Sequence, residues 1–295
     1  MTKEFRTGYV AIIGRPNVGK STLTNRLVGA KVSITSRKAQ TTRHRIHGIL
    51  TTPKAQLILV DTPGFQRKHK NALNRAMNRN VSSALGDVDV IVLVVEAGRW
   101  GEGERDLVAM LPVDTPVMLA VNKIDRLADK SSLLPYIAEA SKFFDFAEII
   151  PMSAEKGDGT EALIEAASGR LPVMPAIFDA DDFTDRPERF LAAEILREKL
   201  FRNLGEELPY GIAVEIEKYE QEGQLRRIHA AVIVDRTAHK AIVIGKNGEH
   251  LKRMSTDARK EMETLFGGKV WLETWVKVKG GWADDERALK SLGYE

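Results

Sequence analysis

Cysteine is absent from the 295-residue sequence. Disulfides and thiolate metal ligands are therefore excluded, and the composition suits a reducing compartment. Long apolar runs are also absent: the longest, at residues 88–95, is interrupted by Asp89, and roughly 20 residues are needed to cross a bilayer. The first residues contain no apolar segment of signal-peptide length. We therefore expect a cytoplasmic protein that is not secreted.

A strong net charge is lacking as well, because the 44 Lys and Arg residues are nearly balanced by 41 Asp and Glu residues, which gives a formal charge of +3. The composition, 43% hydrophobic and 29% charged, is that of a globular protein long enough for two domains. Residues 176–223 carry 6 basic and 13 acidic side chains, whereas residues 224–281 carry 12 and 6. The second stretch suits a polyanion, and it is also compatible with an ordinary solvated face.

The first half of the sequence alternates short β-branched runs with segments of helical periodicity. The runs are YVAIIG, RIHGIL, QLILVD, DVIVLVV, PVMLAVN and EIIPMS. The helical segments are STLTNRLVG, ALNRAMNRNVSSAL, GERDLVAML, SSLLPYIAEASKFF and GTEALIEAASGRL. This alternation predicts an α/β domain over residues 1–174, doubly wound around a mixed, mostly parallel sheet. Ligands of such folds bind beyond the carboxyl ends of the strands.

The loop after the first run, GRPNVGKS at residues 14–21, matches the whole phosphate-binding pattern G-x-x-x-x-G-K-S/T. Its glycines let backbone amides surround a phosphate chain, and the helix that follows adds its positive dipole end. Lys20 is expected to reach the β and γ phosphates, and Ser21 to bind Mg²⁺. The predicted phosphate-binding residues are Gly14, Arg15, Pro16, Asn17, Val18, Gly19, Lys20, Ser21 and Thr22.

A second motif, DTPG, begins at Asp61 and ends at Gly64, directly after the third run. The carboxylate of Asp61 is expected to hold Mg²⁺ through water, and the amide of Gly64 can sense a γ-phosphate. Alone the pattern is common, but its position at a strand end places it beside the phosphate loop.

A third motif, NKID, supplies Asn122, Lys123 and Asp125 after the fifth run. Asp125 can accept hydrogen bonds from both N1–H and the exocyclic amine of guanine, and the stem of Lys123 can cover the base. Adenine offers no such pair of donors, so this motif favours GTP over ATP. Ser153 and Ala154 follow the sixth run, where a backbone amide can contact the guanine oxygen.

Residues 36–45, SRKAQTTRHR, are too polar for a core. In a GTP-dependent switch a threonine here closes on Mg²⁺ and the γ-phosphate and is released after hydrolysis; the alternative is a mobile basic loop without a role. We assign the switch role to Thr42 in preference to Thr41. The predicted metal ligands are Ser21, Thr42 and Asp61, and the predicted catalytic residues are Asn17, Lys20, Thr42, Asp61 and Gly64.

Phe65 stands directly after Gly64, where Ras-type enzymes have the glutamine that orients water. An apolar ring cannot orient water by hydrogen bonding, so hydrolysis should be slow unless a partner, a backbone group or an extra cation contributes. We hypothesise that the side-chain oxygen of Asn17 helps to hold K⁺ beside the phosphates.

Residues 175–189 have no period and hold an acidic cluster, which is typical of a linker. A second domain is predicted over residues 190–281, with a helix, two strands, two helices flanking a G-x-x-G loop, and a third strand. Residues 282–295 form a tail. The last strand places a row of basic and aromatic side chains on one face, where the tryptophans either stack on bases or pack under a helix. They are Lys269, Trp271, Trp275, Lys277 and Lys279.

The G-x-x-G loop is GKNG at residues 245–248. By itself the pattern is common, but between two helices it resembles the K-homology (KH) RNA-binding module in its type II topology, a small α+β fold. The resemblance implies that the loop clamps RNA phosphates while an apolar groove takes the bases. The RNA-binding residues that it implies are Ile242, Ile244, Gly245, Lys246, Asn247 and Gly248.

Over the whole chain, the motifs GRPNVGKS, QTTR, DTPG, NKID and VIGKNG and the tail GWADDERALKSLGY resemble the Era family of bacterial GTPases. The resemblance implies a GTP-hydrolysing switch, with Mg²⁺, that binds the 3′ end of 16S ribosomal RNA and assists assembly of the 30S subunit. It also implies some attachment to the inner membrane, which is expected to be peripheral because no segment is apolar enough to insert. We expect a monomer that binds no DNA. The alternative is a GTPase whose C-terminal domain binds a protein or the membrane surface instead of RNA.

Overall fold

The structure, a computed structural model, describes residues 4–36, 38, 41–44, 46–64, 72, 73, 75, 77, 85–205 and 208–292. The chain separates into two compact units. Unit 1 contains residues 1–33, 42–69 and 77–185, and unit 2 contains residues 34–41, 70–76 and 186–295. Two short segments of the N-terminal half therefore group with the C-terminal unit.

The sheet of unit 1 has six strands in the order β2-β3-β1-β4-β5-β6. They are Arg6–Ile13 (β1), Ile46–Thr51 (β2), Ala55–Asp61 (β3), Val90–Glu96 (β4), Val117–Asn122 (β5) and Glu148–Pro151 (β6). β2 is antiparallel to β3, and the other neighbours are parallel. Val, Ile and Leu fill these strands because both faces of the sheet are buried. The mixed, mostly parallel sheet expected from the sequence is confirmed.

Helices cover both faces of this sheet. They are Lys20–Val28 (α1), Glu102–Val108 (α2), Leu133–Ala140 (α3) and Thr160–Ser168 (α4). Side chains alternate along β1, so that Val10 and Ile12 share a core with α1 and α4 while Ala11 and Ile13 share one with α2 and α3. The helix predicted for ALNRAMNRNVSSAL lies largely outside the described residues.

The C-terminal part of unit 2 is the α+β fold expected of a type II KH module. Its elements are Glu188–Asn203 (α5), Ile212–Glu222 (β7), Leu225–Val234 (β8), Thr237–Ile244 (α6), Glu249–Phe266 (α7), Lys269–Val278 (β9) and Glu286–Ser291 (α8). β8 is the central strand, antiparallel to β7 and parallel to β9. One face of the sheet packs on the helices through a core that includes Leu196, Ile228, Val243 and Met262.

The two short segments are hydrogen-bonded to the rest of unit 2. In the first, the Lys38 ammonium donates to the carbonyl oxygen of Phe201 at 2.8 Å. In the second, the amide of Leu73 donates to the carbonyl oxygen of Ala283 at 3.1 Å. These bonds involve α5 and the chain that precedes α8.

Residues 172–185, which we call the strap, belong to unit 1 and lie against its sheet, although their sequence is typical of a linker. The side-chain oxygen of the buried Gln56 accepts the amides of Ile177 and Phe178, at 2.8 and 2.9 Å. The amide of Ile49 in β2 donates to the carbonyl oxygen of Phe183 at 3.0 Å. The strap is therefore held to the sheet by specific hydrogen bonds.

Candidate nucleotide site and nucleic-acid groove

The phosphate loop lies between the end of β1 and the start of α1, in the strand-to-helix setting that its sequence requires. Gly14, Asn17 and Gly19 have φ values of 151°, 65° and 106°. A Cβ at Gly14 would lie 2.4 Å from the carbonyl oxygen of Val94, and one at Gly19 would lie 2.3 Å from the amide nitrogen of Asn122. Glycine is required at both positions, because the loop needs an unusual backbone and a close approach at once.

Lys20 is the first residue of α1 and is buried. Its ammonium donates to the carbonyl oxygens of Gly14 and Arg15, at 3.1 and 2.9 Å. Burial lowers the pKa of Lys20 to about 8, although the nearby Asp61 opposes this shift. The loop therefore holds a cation where a phosphate chain would lie.

The predicted metal ligands come together at this end of the site. The hydroxyl oxygens of Ser21 and Thr42 are 2.8 Å apart, and the hydroxyl of Thr41 instead donates to the carbonyl oxygen of Lys38 at 2.7 Å. The structure therefore places Thr42, and not Thr41, beside Ser21.

Asp61 lies at the end of β3 and is fully buried. Ser33 donates to its Oδ2 at 2.6 Å, and its Oδ1 has no hydrogen-bond partner in the part of the chain that the structure describes. Burial raises the pKa of this carboxyl group. Two hydroxyls and a carboxylate oxygen that lacks a donor are the hard oxygen ligands that Mg²⁺ prefers, so the residues present fit this ion.

Gly64 contacts the phosphate loop. A Cβ at this position would lie 2.8 Å from the backbone of Pro16. Any side chain would therefore separate the DTPG motif from the phosphate loop, which explains the glycine at this position. Phe65, which carries the prediction of slow hydrolysis, lies outside the described residues.

The NKID motif is hydrogen-bonded to the phosphate loop at the end of β5. The amide nitrogen of Asn122 donates to the carbonyl oxygen of Val18 at 2.8 Å, and its side-chain oxygen accepts the amide of Ala154 at 2.9 Å. The ammonium of Lys123 donates to the carbonyl oxygen of Asn17 at 2.6 Å and to Glu96 at 2.9 Å. Asn122 and Lys123 thus hold the NKID motif to the phosphate loop. The backbone amide of Ala154 already donates a hydrogen bond to the side chain of Asn122.

Asp125 has the properties that base recognition demands. A hydrogen bond from Ser153 holds the pKa of Asp125 below its ordinary value, so the group is anionic at neutral pH. Its Oδ1 is buried and has no hydrogen-bond partner among the residues described. A carboxylate with an unused acceptor is suited to the adjacent N–H donors of guanine.

The GKNG loop joins α6 to α7. Gly245, Asn247 and Gly248 have φ values of 73°, 52° and 79°, which explains the two glycines. A Cβ at Gly245 would lie 2.6 Å from the ring of His250, whereas around Gly248 the space is open within 4 Å. A backbone from another molecule can therefore approach Gly248 closely.

A groove of about 360 Å³ runs from this loop along α7 and β9. It is lined by Gly248, Leu251, Lys252, Ser255, Thr256, Arg259, Leu272, Glu273 and Thr274. Sequence reasoning missed all but Gly248, although the spacing of 251, 255 and 259 along one face of α7 was a readable signal. Of the predicted apolar pair, Ile242 is 51% exposed and Ile244 packs against the core, so neither lines the groove.

The tryptophans of β9 lie on the other face of the sheet from the groove. Leu272 packs against the core and Thr274 meets Ser255 of α7, so the alternating Trp271 and Trp275 face away. Trp271 is 43% exposed. The tryptophans therefore neither line the groove nor pack under α7.

A phosphate loop joined to a buried carboxylate and an Asn-Lys-x-Asp motif defines a P-loop GTPase, and unit 2 adds a KH fold. Comparison with known proteins agrees with this class. The family described as "50S ribosome-binding GTPase" matches residues 9–123, and the family described as "KH domain" matches residues 207–283.

The GTPase Era of Nitrosomonas eutropha is 57% identical over 291 residues, which cover 99% of this chain and 98% of that relative. The GTPase Era of Chromobacterium violaceum is 53% identical with the same coverage. A solved Aquifex aeolicus Era variant bound to GDP·AlF4⁻ is 39% identical, covers 98% of this chain and 99% of its own, and has a TM-score of 0.95. The chain belongs to the Era family and is a GTPase.

Among the helices that the structure describes, none has the length and apolar character to span a bilayer.

Proposed function

We propose that this chain is a GTP-driven switch that binds the 3′ end of 16S ribosomal RNA and assists assembly of the 30S subunit. One observation carries the proposal. A solved Era in complex with MgGDPNP and nucleotides 1506–1542 of 16S ribosomal RNA has a TM-score of 0.94, is 39% identical and covers 98% of this chain and 99% of its own. Residues 1–174 would then act as the GTPase domain, 175–189 as a linker, 190–281 as the RNA-binding domain and 282–295 as a tail.

In the GTPase domain, the backbone amides of residues 14–22, apart from Pro16, which has no N–H, would bind the phosphates and the ammonium of Lys20 would neutralise their charge. Ser21, Thr42 and Asp61 would hold Mg²⁺, which screens the charge that develops during phosphoryl transfer. The amide of Gly64 would bind the γ-phosphate. Loss of the γ-phosphate on hydrolysis would then release the DTPG motif.

Guanine would be selected by Asp125, with Asn122, Lys123, Ser153 and Ala154 around the base. The unused Oδ1 of Asp125 supports this role, because an adenine in the same place would leave a buried acceptor without a donor. The nucleotide would therefore be GTP, with GDP as product.

K⁺ would act beside the phosphates, held in part by the side-chain oxygen of Asn17. The positive φ of Asn17 and the bond from Lys123 to its carbonyl support a fixed position for this residue. The test is the GTP turnover rate in K⁺ and in Na⁺, for the protein and for Asn17→Ala. Equal rates in the two salts, or a K⁺ effect that survives the substitution, would remove Asn17 from this role.

RNA would bind at Gly245, Lys246, Asn247 and Gly248 of the GKNG loop and along the groove that begins there. Lys252 and Arg259 would add phosphate contacts, and the single-stranded bases would enter between α7 and β9. The 12 basic and 6 acidic residues of 224–281 support a polyanionic ligand.

The direct experiment measures binding of an oligonucleotide with the 16S 3′-end sequence by this chain and by Gly248→Asp. Gly223→Asp is a matched control, because Gly223 also has a positive φ, 60°, and open space within 4 Å, but lies in the β7–β8 turn. We expect weaker binding only for Gly248→Asp. Equal affinity in all three proteins, or no binding by any, would contradict the proposal.

The alternative ligands are a protein or an anionic membrane surface. Vesicles with anionic lipid form a second arm of the same experiment, and binding to vesicles but not to RNA would favour the membrane. We place the protein in the cytoplasm as a monomer, with at most a peripheral contact to the inner membrane.

Nucleotide and RNA binding would be coupled through the short segments that group with unit 2. GTP ordering of Thr42 and Gly64 would alter these segments and thereby the RNA affinity. Crosslinking of bound RNA with the protein held in GTP and in GDP tests this, and the same crosslinks in both states would contradict it.

A further inference from the structure

Ser33 lies outside every motif, in the loop between α1 and β2, yet it contacts the carboxylate of DTPG. Its hydroxyl donates to Oδ2 of Asp61 at 2.6 Å. Both residues are fully buried. A hydroxyl in this environment makes a strong bond to a carboxylate, because neither group can exchange its partner for solvent.

Ser33 is itself held by the helix that begins at the phosphate loop. The side-chain oxygen of Asn25 in α1 accepts the amides of Val32 and Ser33, at 3.0 and 2.9 Å. The amide nitrogen of Asn25 donates to the carbonyl oxygen of Ser33 at 2.6 Å. Three hydrogen bonds from one side chain therefore fix the backbone of Ser33 relative to α1.

The consequence for Asp61 is geometric. A carboxylate at the end of a strand can rotate about its Cβ–Cγ bond, which exchanges its two oxygens. Because Ser33 binds Oδ2, the other oxygen, Oδ1, is the one left without a partner among the described residues. Ser21 and Thr42 lie in the same site with their hydroxyls 2.8 Å apart.

We propose that Ser33 is a positioning residue of the metal site, and that it holds the Asp61 carboxylate so that Oδ1 is available to Mg²⁺ and its water. Asn25 supports Ser33 in this role. The inference rests on the proposed function, since it assumes that Asp61 serves the metal. Partners that orient a ligand in this way are typically worth 10–100-fold in metal affinity.

Ser33 also marks a boundary in the chain. The next residue, Ile34, is the first of the segment that groups with unit 2, whereas Ser33 belongs to unit 1. The bond between Ser33 and Asp61 therefore lies wholly within unit 1, directly before that segment begins.

The test compares Ser33→Ala with the unaltered protein. The apparent dissociation constant of Mg²⁺ is measured from the retention of a fluorescent GDP analogue over a MgCl₂ titration, with a parallel measurement in EDTA. We expect the Mg²⁺ constant to rise by about tenfold and the affinity in EDTA to stay the same. Ser33→Thr keeps the hydroxyl and should restore Mg²⁺ binding.

Two variants separate positioning from loss of packing. Ser33→Cys keeps the side-chain volume but is a weak donor, so it should resemble Ser33→Ala. Thr24 of α1 also carries a fully buried hydroxyl, which donates to the carbonyl oxygen of Lys20 at 3.2 Å. Thr24→Val removes this hydroxyl. It should leave the Mg²⁺ constant unchanged.

Asp61→Asn distinguishes the two ways in which the inference can fail. An Mg²⁺ constant that responds to Asp61→Asn but not to Ser33→Ala or Ser33→Cys would overturn the role of Ser33 alone. A constant that responds to none of these variants would overturn the metal role of Asp61 and the inference with it. An equal rise of the Mg²⁺ constant in Ser33→Ala and Thr24→Val would mean that Ser33 contributes only through packing.

Discussion

Glu198 of α5 accepts hydrogen bonds from both the amide and the hydroxyl of Thr35, each at 3.2 Å. The adjacent Arg197 donates to the carbonyl oxygen of Thr41 at 2.6 Å. Glu198 and Arg197 are both buried, and buried charges depend on such partners. Thr42, the proposed metal ligand, directly follows Thr41, so we expect a change at the metal site to reach these two charges along the chain.

Glu198→Gln should weaken the coupling between nucleotide and RNA binding. The amide keeps the shape but removes the charge that attracts the Thr35 donors, so the segment is held less firmly. We expect the ratio of RNA affinities in GDPNP and GDP to move toward one, from a coupling on the order of 5- to 150-fold. Binding of the 16S 3′-end oligonucleotide in both nucleotides measures the ratio. Glu261→Gln, which removes the partner of Lys199 in the same unit, is the control, and an unchanged ratio in Glu198→Gln would contradict the prediction.

Asp125→Asn should exchange guanine for xanthine as the preferred base. Asparagine presents one donor and one acceptor, which match the C2 carbonyl and N1–H of xanthine, whereas guanine presents two donors. GTP affinity should fall by at least about 100-fold, and XTP should bind in its place. Competition against a fluorescent GDP analogue measures both. Asp129→Asn is a matched control, because Asp129 is exposed and bonds to Ser131; a preference for GTP in Asp125→Asn would contradict the assignment.

Lys20 should make nucleotide affinity depend on pH. Burial lowers its pKa to about 8, and the phosphates bind its charged form. Below about pH 8 the Lys20 ammonium is present, so nucleotide affinity should not change with pH. Above about pH 8 the amine must take up a proton when the nucleotide binds, so the affinity should fall by up to about tenfold per pH unit. Titration of a fluorescent GDP analogue from about pH 7 to about pH 9 measures this. A nucleotide affinity that stays level or rises toward the alkaline end of this pH range would contradict the prediction.

Lys252 and Arg259 should contribute to RNA binding as phosphate contacts. Each substitution by alanine should reduce the slope of log affinity against log salt by roughly 0.7, because one fewer counterion is released. Lys260→Ala removes the same charge from an exposed position of α7 outside the groove and should leave the slope unchanged. Equal slopes for the unaltered protein and all three variants would mean that the groove does not contact phosphates.

The nucleotide site was predictable from sequence because each of its motifs follows a strand that the periodicity also predicts. Thr42 could be chosen from its place between two motifs, and it lies beside Ser21. Ser33 could not be found in this way, because its partner Asp61 is 28 residues away and only the fold joins them. The residues of α7 that line the groove were missed for a different reason: the spacing places several of them on one face of the helix, but it does not show whether that face meets a ligand or solvent.

The strap has a consequence for solubility. β2 is an edge strand, and it pairs with the strap where Gly48 bridges Thr184 and the Thr184 hydroxyl donates to the carbonyl oxygen of His47. An uncovered edge strand invites pairing with a second chain, so a GTPase fragment that ends at residue 174 should self-associate, whereas one that ends at residue 185 should stay dispersed. Light scattering of the two fragments compares them directly. The segment whose sequence is that of a linker thus also covers the exposed edge of the sheet.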